Sequence, residues 1–248
     1  NLATLCVTCI DEDKLELKRQ IADSLSRLER QTLVQRNGDL YSFMTNEERD
    51  VMNEIKNVDL DPTEQVQLVA DILFRGIFKD SRKHRLLANA KDYEFNRACD
   101  GVYLGNPSAD ISVEVVTPFG DDYAAWNQTR CIMGTDEGTG KIIFQLKDDS
   151  LLAEEVSQYK RTAKYVLQKD RTTVPASVGR ILQDHSAENE KRKQRIQEKL
   201  EELFAVADVY TVGKRLQIEA TQADAVLREA LEYLITNTYR KLGYLVQY

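Results

Sequence analysis

Proline, glycine and cysteine are all scarce in these 248 residues: four, eleven and four of them. So little proline and glycine excludes long irregular loops and points to a helix-rich chain with short connections. Four scattered cysteines exclude a disulfide framework and fit a reducing cytoplasm. No apolar run approaches the ~20 residues of a membrane-spanning helix. The opening Asn1-Leu2-Ala3-Thr4 has no charged leader, no cleavage site and no initiator Met, so the chain reads as a piece of something longer. Positive charge is the minority sign: 34 Lys and Arg stand against 41 Asp and Glu, for a net charge of −7. That balance excludes a general attraction to nucleic acid but allows a local basic face. With 30% charged and 42% hydrophobic residues, the composition is that of an ordinary soluble domain or two.

The most structured stretch runs from Asp13 to Phe43. Leu17, Ile21, Leu25 and Leu28 recur at intervals of four, four and three, which predicts an amphipathic helix. Asn37-Gly38 then predicts a two-residue type I′ turn, pairing Val34 with Tyr41 and Thr32 with Phe43. A helix entering a short hairpin is how a winged-helix module ends. Thr45 and Glu48 form a capping box for a helix that turns Val51, Met52 and Ile55 inward. Asp61 and Pro62 open another, with Val66, Val69 or Ala70, Leu73 and Ile77 on its apolar face.

The texture changes near residue 80. Arg85–Leu87, Ile111–Thr117, Arg130–Met133 and Lys141–Leu146 have strand composition, giving a mixed or mostly antiparallel sheet of four or five strands over about 80–147. The link from Phe119 to Gln128 holds the sole tryptophan, Trp126, and reads as a short helix. From about 150 to 248 the pattern is helical. Leu152, Val156, Tyr159, Ala163 and Val166 make one stripe. A long helix from Pro175 carries Val178, Ile181 and Leu182, lapses from His185 to Arg195, and resumes at Ile196, Leu200, Leu203 and Ala207. Val209–Ile218 reads as a strand or hairpin bent at Gly213. Thr221 caps a last helix, with Leu227, Leu231 and Leu234, that ends at Gly243. Residues 4–10 read as a strand before the first helix.

Few residues invite chemistry. Gly134 to Lys141 resembles a P-loop, but five residues separate Gly134 from Gly140, and Ile142 stands where magnesium needs a hydroxyl. Asp136 and Glu137 would repel phosphate, so an ordinary hairpin loop is expected there. Cys6 and Cys9 have the spacing of half a zinc site with no second half, and read as small hydrophobes. His84 and His185 read as surface residues. No carboxylate sits in an apolar context that would raise its pKa. Lys14, Lys18, Arg19, Arg27 and Arg30 with Arg36 of the wing are the candidate nucleic-acid contacts, offset by Asp11, Glu12, Asp13, Glu16, Asp23 and Glu29. Arg82, Lys83 and Arg85 form a second basic run. Lys191, Arg192 and Lys193 form a third, read as a solvated helix face or a partner-binding arm.

Leu28-Glu29-Arg30-Gln31-Thr32-Leu33-Val34-Gln35-Arg36-Asn37-Gly38-Asp39-Leu40-Tyr41-Ser42-Phe43-Met44-Thr45-Asn46-Glu47-Glu48, running on through Asn53-Glu54-Ile55, resembles the P-loop protein of the BREX phage-defence system, the BrxC or PglY family. So do Arg82-Lys83-His84-Arg85 with Phe95-Asn96-Arg97, Thr117-Pro118-Phe119 with Asp121-Asp122-Tyr123, and Ala230-Leu231-Glu232-Tyr233-Leu234-Ile235 with Leu242-Gly243-Tyr244-Leu245. The resemblance implies a large cytoplasmic AAA-like ATPase using ATP and magnesium, within a multi-protein system that methylates host DNA and blocks phage replication. The family's nucleotide site precedes a winged helix. No Walker motif occurs here, so no ATPase residue is carried onto this chain.

The expected fold is therefore α+β: a winged-helix portion over 1–60, then an α+β domain over 61–248 with a helix-flanked sheet and a helical C-terminal part. The expected role is a non-catalytic internal segment serving assembly, subunit contact and DNA engagement. It has no catalytic residue, no metal and no cofactor of its own. Its expected partners are other BREX proteins, copies of itself or double-stranded DNA, and no membrane. The alternative is a free-standing winged-helix DNA-binding regulator. A third class, a metal or redox enzyme using Cys6 and Cys9, would show zinc or a reactive thiol.

Overall fold

A computed structural model describes residues 13–37, 40–136, 138–169 and 174–238. Residues 4–10 with Cys6 and Cys9, the turn residue Gly38, and the expected cap at Gly243 lie outside them. The described residues form seven α-helices and a mixed sheet. The chain divides into two compact units: Asn1–Asp59 with Arg161–Asn189, and Leu60–Lys160 with Glu190–Tyr248.

In the first unit, α1 (Lys14–Arg30) starts where the Asp13 carboxylate accepts the N–H of Leu15. It ends on Thr32, whose φ of 59° is left-handed and unusual for a β-branched residue. Leu33 N–H reaches back to the carbonyl of Leu28, and Thr32 N–H to that of Glu29, the paired closure of a Schellman motif. The Thr32 hydroxyl donates to the Asn53 side chain at 3.1 Å, which helps offset the strain. β1 (Val34–Asn37) pairs antiparallel with β2 (Leu40–Phe43), but Val34 faces Phe43 and Asn37 faces Leu40. The expected register is thus displaced by two: Asn37 belongs to the strand and not to the turn. The displacement is even, so each side chain keeps its face. α2 (Asn46–Lys56) has the capping box of Thr45 and Glu48, and buries Val51, Met52 and Ile55. Val51 and Ile55 pack with Tyr165 and Leu182, contributed by two long helices described below.

In the second unit, α3 (Pro62–Asp71) has Asp61 as its cap and passes into a π-helical turn, Ile72–Ile77. Lys79 and Asp80 then take φ of 51° and 56°. The sheet follows the path β3 (Lys83–Leu86), β4 (Lys91–Cys99), β6 (Ile111–Val116), β7 (Lys141–Gln145), β8 (Asp208–Thr211), β9 (Lys214–Leu216). β5 (Val102–Tyr103) pairs β4 off that path. β4, β6 and β7 run parallel, and the other pairings are antiparallel. β6 is buried along nearly its whole length, as a central parallel strand should be. The β8–β9 turn puts Val212 and Gly213 at φ 50° and 66°, the conformation of a type I′ turn.

One face of this sheet carries Phe95, Ile111, Val113, Val115, Ile142, Phe144 and Val209 into the main core. Phe204 stacks on Phe144 at 4.6 Å and meets Phe78 edge-on at 4.8 Å. Each such side chain contributes ~1.5–3 kcal/mol by leaving water. Helices cover this face: α3, the long α5 (Ser150–Gln168) and α6 (Ala176–Ala205), which each contribute to both units, and α7 (Ala223–Thr238). The opposite face is covered over Val116, Ile143 and Tyr210 by Cys131 and Trp126.

The structure departs from the sequence pattern at three places. Arg130–Met133 is not a strand: α4 (Gln128–Met133) is a helix, capped by Asn127 accepting the N–H of Arg130. Gly134–Lys141 consequently joins a helix to β7 and is not a hairpin loop. β4, the longest strand, had no strand signal, because its inward positions include Arg97. Finally, α6 does not turn its His185–Arg195 stretch wholly to solvent. His185, Asn189 and Arg192 are buried and continue the inward stripe in polar form.

Candidate functional site

Lys14, Lys18, Arg19 and Arg27 are exposed on α1, and Arg36 is exposed on β1 with its guanidinium 5.9 Å above the Tyr41 ring. They share the first unit with exposed apolar side chains: Leu15, Leu40 and Phe43 are 78%, 76% and 84% accessible. α1 contains no fully buried residue.

The other candidates belong to the second unit. Arg82 meets Asp80 at 3.2 Å, Lys83 meets Glu94 at 2.9 Å, and Arg85 meets Asp92 at 3.2 Å. The last two are cross-strand pairs, set by the β3–β4 register that places Lys83 opposite Glu94 and Arg85 opposite Asp92. Lys191 and Lys193 are exposed, while Arg192 turns inward to Glu155 at 3.1 Å. Sequence proximity therefore does not make this trio one surface.

Arg82 and Lys83 are brought together with residues far away in sequence. β3 and β5 both pair with the same edge of β4, one beyond the other, and a cleft of about 230 Å³ opens where they meet. Its wall includes Arg82, Lys83, Glu94, Asn96, Arg97 and Tyr103. Asn96 shapes the far side: its carbonyl accepts the N–H groups of Ser108 and Ala109, and its amide donates to the Ala109 carbonyl at 2.6 Å. Arg97 is buried, lies 5.9 Å from the Phe74 ring, and pairs with Asp80 at 2.6 Å. That contact from Arg97, with Arg82 helping, holds the Asp80 carboxyl below its usual pKa. Glu94 in turn raises the pKa of Lys83.

A second organised feature lies at the carboxyl ends of β4 and β6. Asp100, at φ 48°, accepts the Thr117 N–H at 2.7 Å and the Thr117 hydroxyl at 2.5 Å. Glu114 accepts the Gly101 N–H at 2.8 Å and pairs with Lys141 at 3.1 Å. Burial pushes the Asp100 carboxyl up to about 6, against the lowering effect of the Thr117 bonds. Gly120 leaves room for it, since a Cβ there would sit 2.8 Å from the Asp100 carboxyl carbon. The expectation that no carboxylate is raised fails at Asp100. The available signal was Asp100-Gly101, a turn pair closing an apolar strand end.

Both histidines are also buried, contrary to the surface reading. His84 alternates inward with Leu86 on β3, and burial lowers its pKa. Among the described residues no group of three or more His, Cys, Asp or Glu could hold a metal ion. No helix described is long and apolar enough to cross a membrane.

A family model for the fourth domain of the BREX ATP-binding protein BrxC, described as having a six-stranded β-sheet, matches residues 58–234. The chain belongs to this family. The sheet here has seven strands, six along the continuous path and the two-residue β5 beside it, against the six of the family description. Membership in BrxC makes the chain a BREX-associated component, and the matched span contains both the β4-edge cleft and the Asp100 knot. No solved structure matches the chain.

Proposed function

We propose that this chain is a non-catalytic segment of a BrxC-type protein that serves assembly, with α1 and the β1–β2 hairpin acting as a winged-helix portion docked on protein. ATP and magnesium would belong to other parts of the parent protein, in the cytoplasm, and the segment would need neither. The partner is another BREX component or a second copy.

The observation that carries this reading is the apolar exposure of Leu40 and Phe43 beside a helix with no fully buried residue. Contact with phosphate calls for cations, whereas exposed large hydrophobes suit a protein interface. The α1 cations alternate with Glu16, Asp23 and Glu29, which weakens them as a DNA-binding face. Family membership also disfavours a free-standing regulator.

The test is co-purification with the remaining BREX proteins and measurement of mass in solution. Leu40→Ser with Phe43→Ser should abolish partner capture or self-association without unfolding the chain. Lys18→Glu with Arg36→Glu should leave it intact. Loss of duplex-DNA binding in the charge-reversal variant, with capture unaffected by the serine variant, would instead make this portion a DNA reader.

A further inference from the structure

The β4-edge cleft combines features that assembly does not use. Its wall carries three cations, Arg82, Lys83 and Arg97, against one carboxylate, Glu94. Asp80 reaches Arg82 and Arg97 and offsets one more charge, so one positive charge is left over in a protein of net charge −7. Arg97 cannot swing away, being buried between Phe74 and its Asp80 bond. Concave walls concentrate such a field. Tyr103 lines the same cleft and is 45% accessible.

We propose that this cleft seats a backbone phosphate of single-stranded nucleic acid, with Tyr103 as the stacking platform for an adjoining base. Cations that track a backbone and an aromatic face that takes any base are the ordinary means of holding an unpaired strand. A duplex keeps its bases stacked on one another and offers no free face to Tyr103. The volume of about 230 Å³ lies below the ~300–1,000 Å³ of sites that enclose a small molecule. The ligand is therefore a strand laid across the cleft and not a free nucleotide buried within it. This assignment is independent of the assembly role of α1 and the hairpin.

The experiment is fluorescence anisotropy of the whole chain with a labelled oligothymidylate about 12 nucleotides long, in about 50 mM salt. Saturable binding is expected, with Kd on the order of 10–100 µM and weakening as salt rises. Tyr103→Ala, and separately Arg82→Glu with Lys83→Glu, should each weaken it by about 5-fold or more, and Tyr103→Phe should retain it. All three positions are exposed. Lys18→Glu with Arg36→Glu, in the other unit, should leave affinity unchanged, which separates this site from any DNA contact by α1. Absence of saturable binding, wild-type affinity in the cleft variants, or equal competition by thymidine monophosphate would overturn the proposal.

Discussion

Asp100 accepts two hydrogen bonds from Thr117, from its N–H at 2.7 Å and its hydroxyl at 2.5 Å. Both favour the carboxylate, yet burial outweighs them and the group titrates near 6, above its ordinary 3.8. A raised carboxyl contributes stability that is full below the unfolded value and is lost as pH rises through the folded one. Between pH 3.8 and 6 the difference amounts to about 3 kcal/mol. Asn at this position can still accept the Thr117 N–H and donate to its hydroxyl, without a charge to bury. Asp100→Asn should therefore stabilise the chain by about 1–3 kcal/mol at pH 7.5 and by little at pH 4, as read by urea unfolding. A variant less stable than wild type at both pH values would show that the carboxylate is the form the fold requires.

His84 should act with the opposite sign. It sits on β3 with Tyr93 opposite on β4, and with Glu232 and Arg228 of α7 in its field. Burial and Arg228 disfavour the imidazolium, Glu232 favours it, and burial dominates. A histidine with a lowered folded pKa takes its proton more readily when unfolded, so stability is present above 6.5 and falls as pH drops below it. His84→Gln, neutral throughout, should remove this acid-side loss between pH 7.5 and 5.5. Comparing urea midpoints of wild type, His84→Gln and Asp100→Asn from pH 7.5 down to pH 4 separates the two titrations. An unchanged pH slope in His84→Gln would place the titrating group elsewhere.

The parts of the fold that were legible in sequence are those set by local chemistry. Thr45 with Glu48, and Asp61, act through backbone atoms two or three residues away, Gly213 acts through its own left-handed φ, and each occurs in the structure as expected. The parts that were not legible are set by tertiary partners. β4 is a strand because β3, β5 and β6 bond to it, and its buried Arg97 is tolerated only because Asp80 meets it. Cys131 and Ile132 gave α4 a strand composition, but the Asn127 cap and the covering of Ile143 and Tyr210 made a helix the better fit. The hairpin register hung on one Asn-Gly pair, and a shift by two preserves both faces, so alternation could not decide it. The cleft was half visible: Arg82 and Lys83 stood out as a basic run, while Tyr103 and Asn96 join them only through strand pairing.

Along α6 the inward positions 182, 185, 189, 192 and 196 keep helical spacing, but three of them are polar, which is why the apolar stripe lapses there. Arg192 is tolerated inside because Glu155 of α5 meets it at 3.1 Å, and the same carboxylate meets Arg195 at 3.2 Å. The two partners should not be equivalent. Removing Glu155 takes one carboxylate from a guanidinium that is only 11% exposed, whereas removing Arg192 leaves Glu155 still paired with Arg195. Glu155→Ala should cost about 2 kcal/mol, reduced from the value for a fully buried pair because Glu155 is 35% exposed. Arg192→Met, which fills the stripe with an unbranched apolar chain, should cost under about 1.5 kcal/mol. Urea unfolding of both single variants and the double variant decides it: equal single costs, or full additivity, would mean that Arg192 is held by the packing of α5 and α6 and not by Glu155.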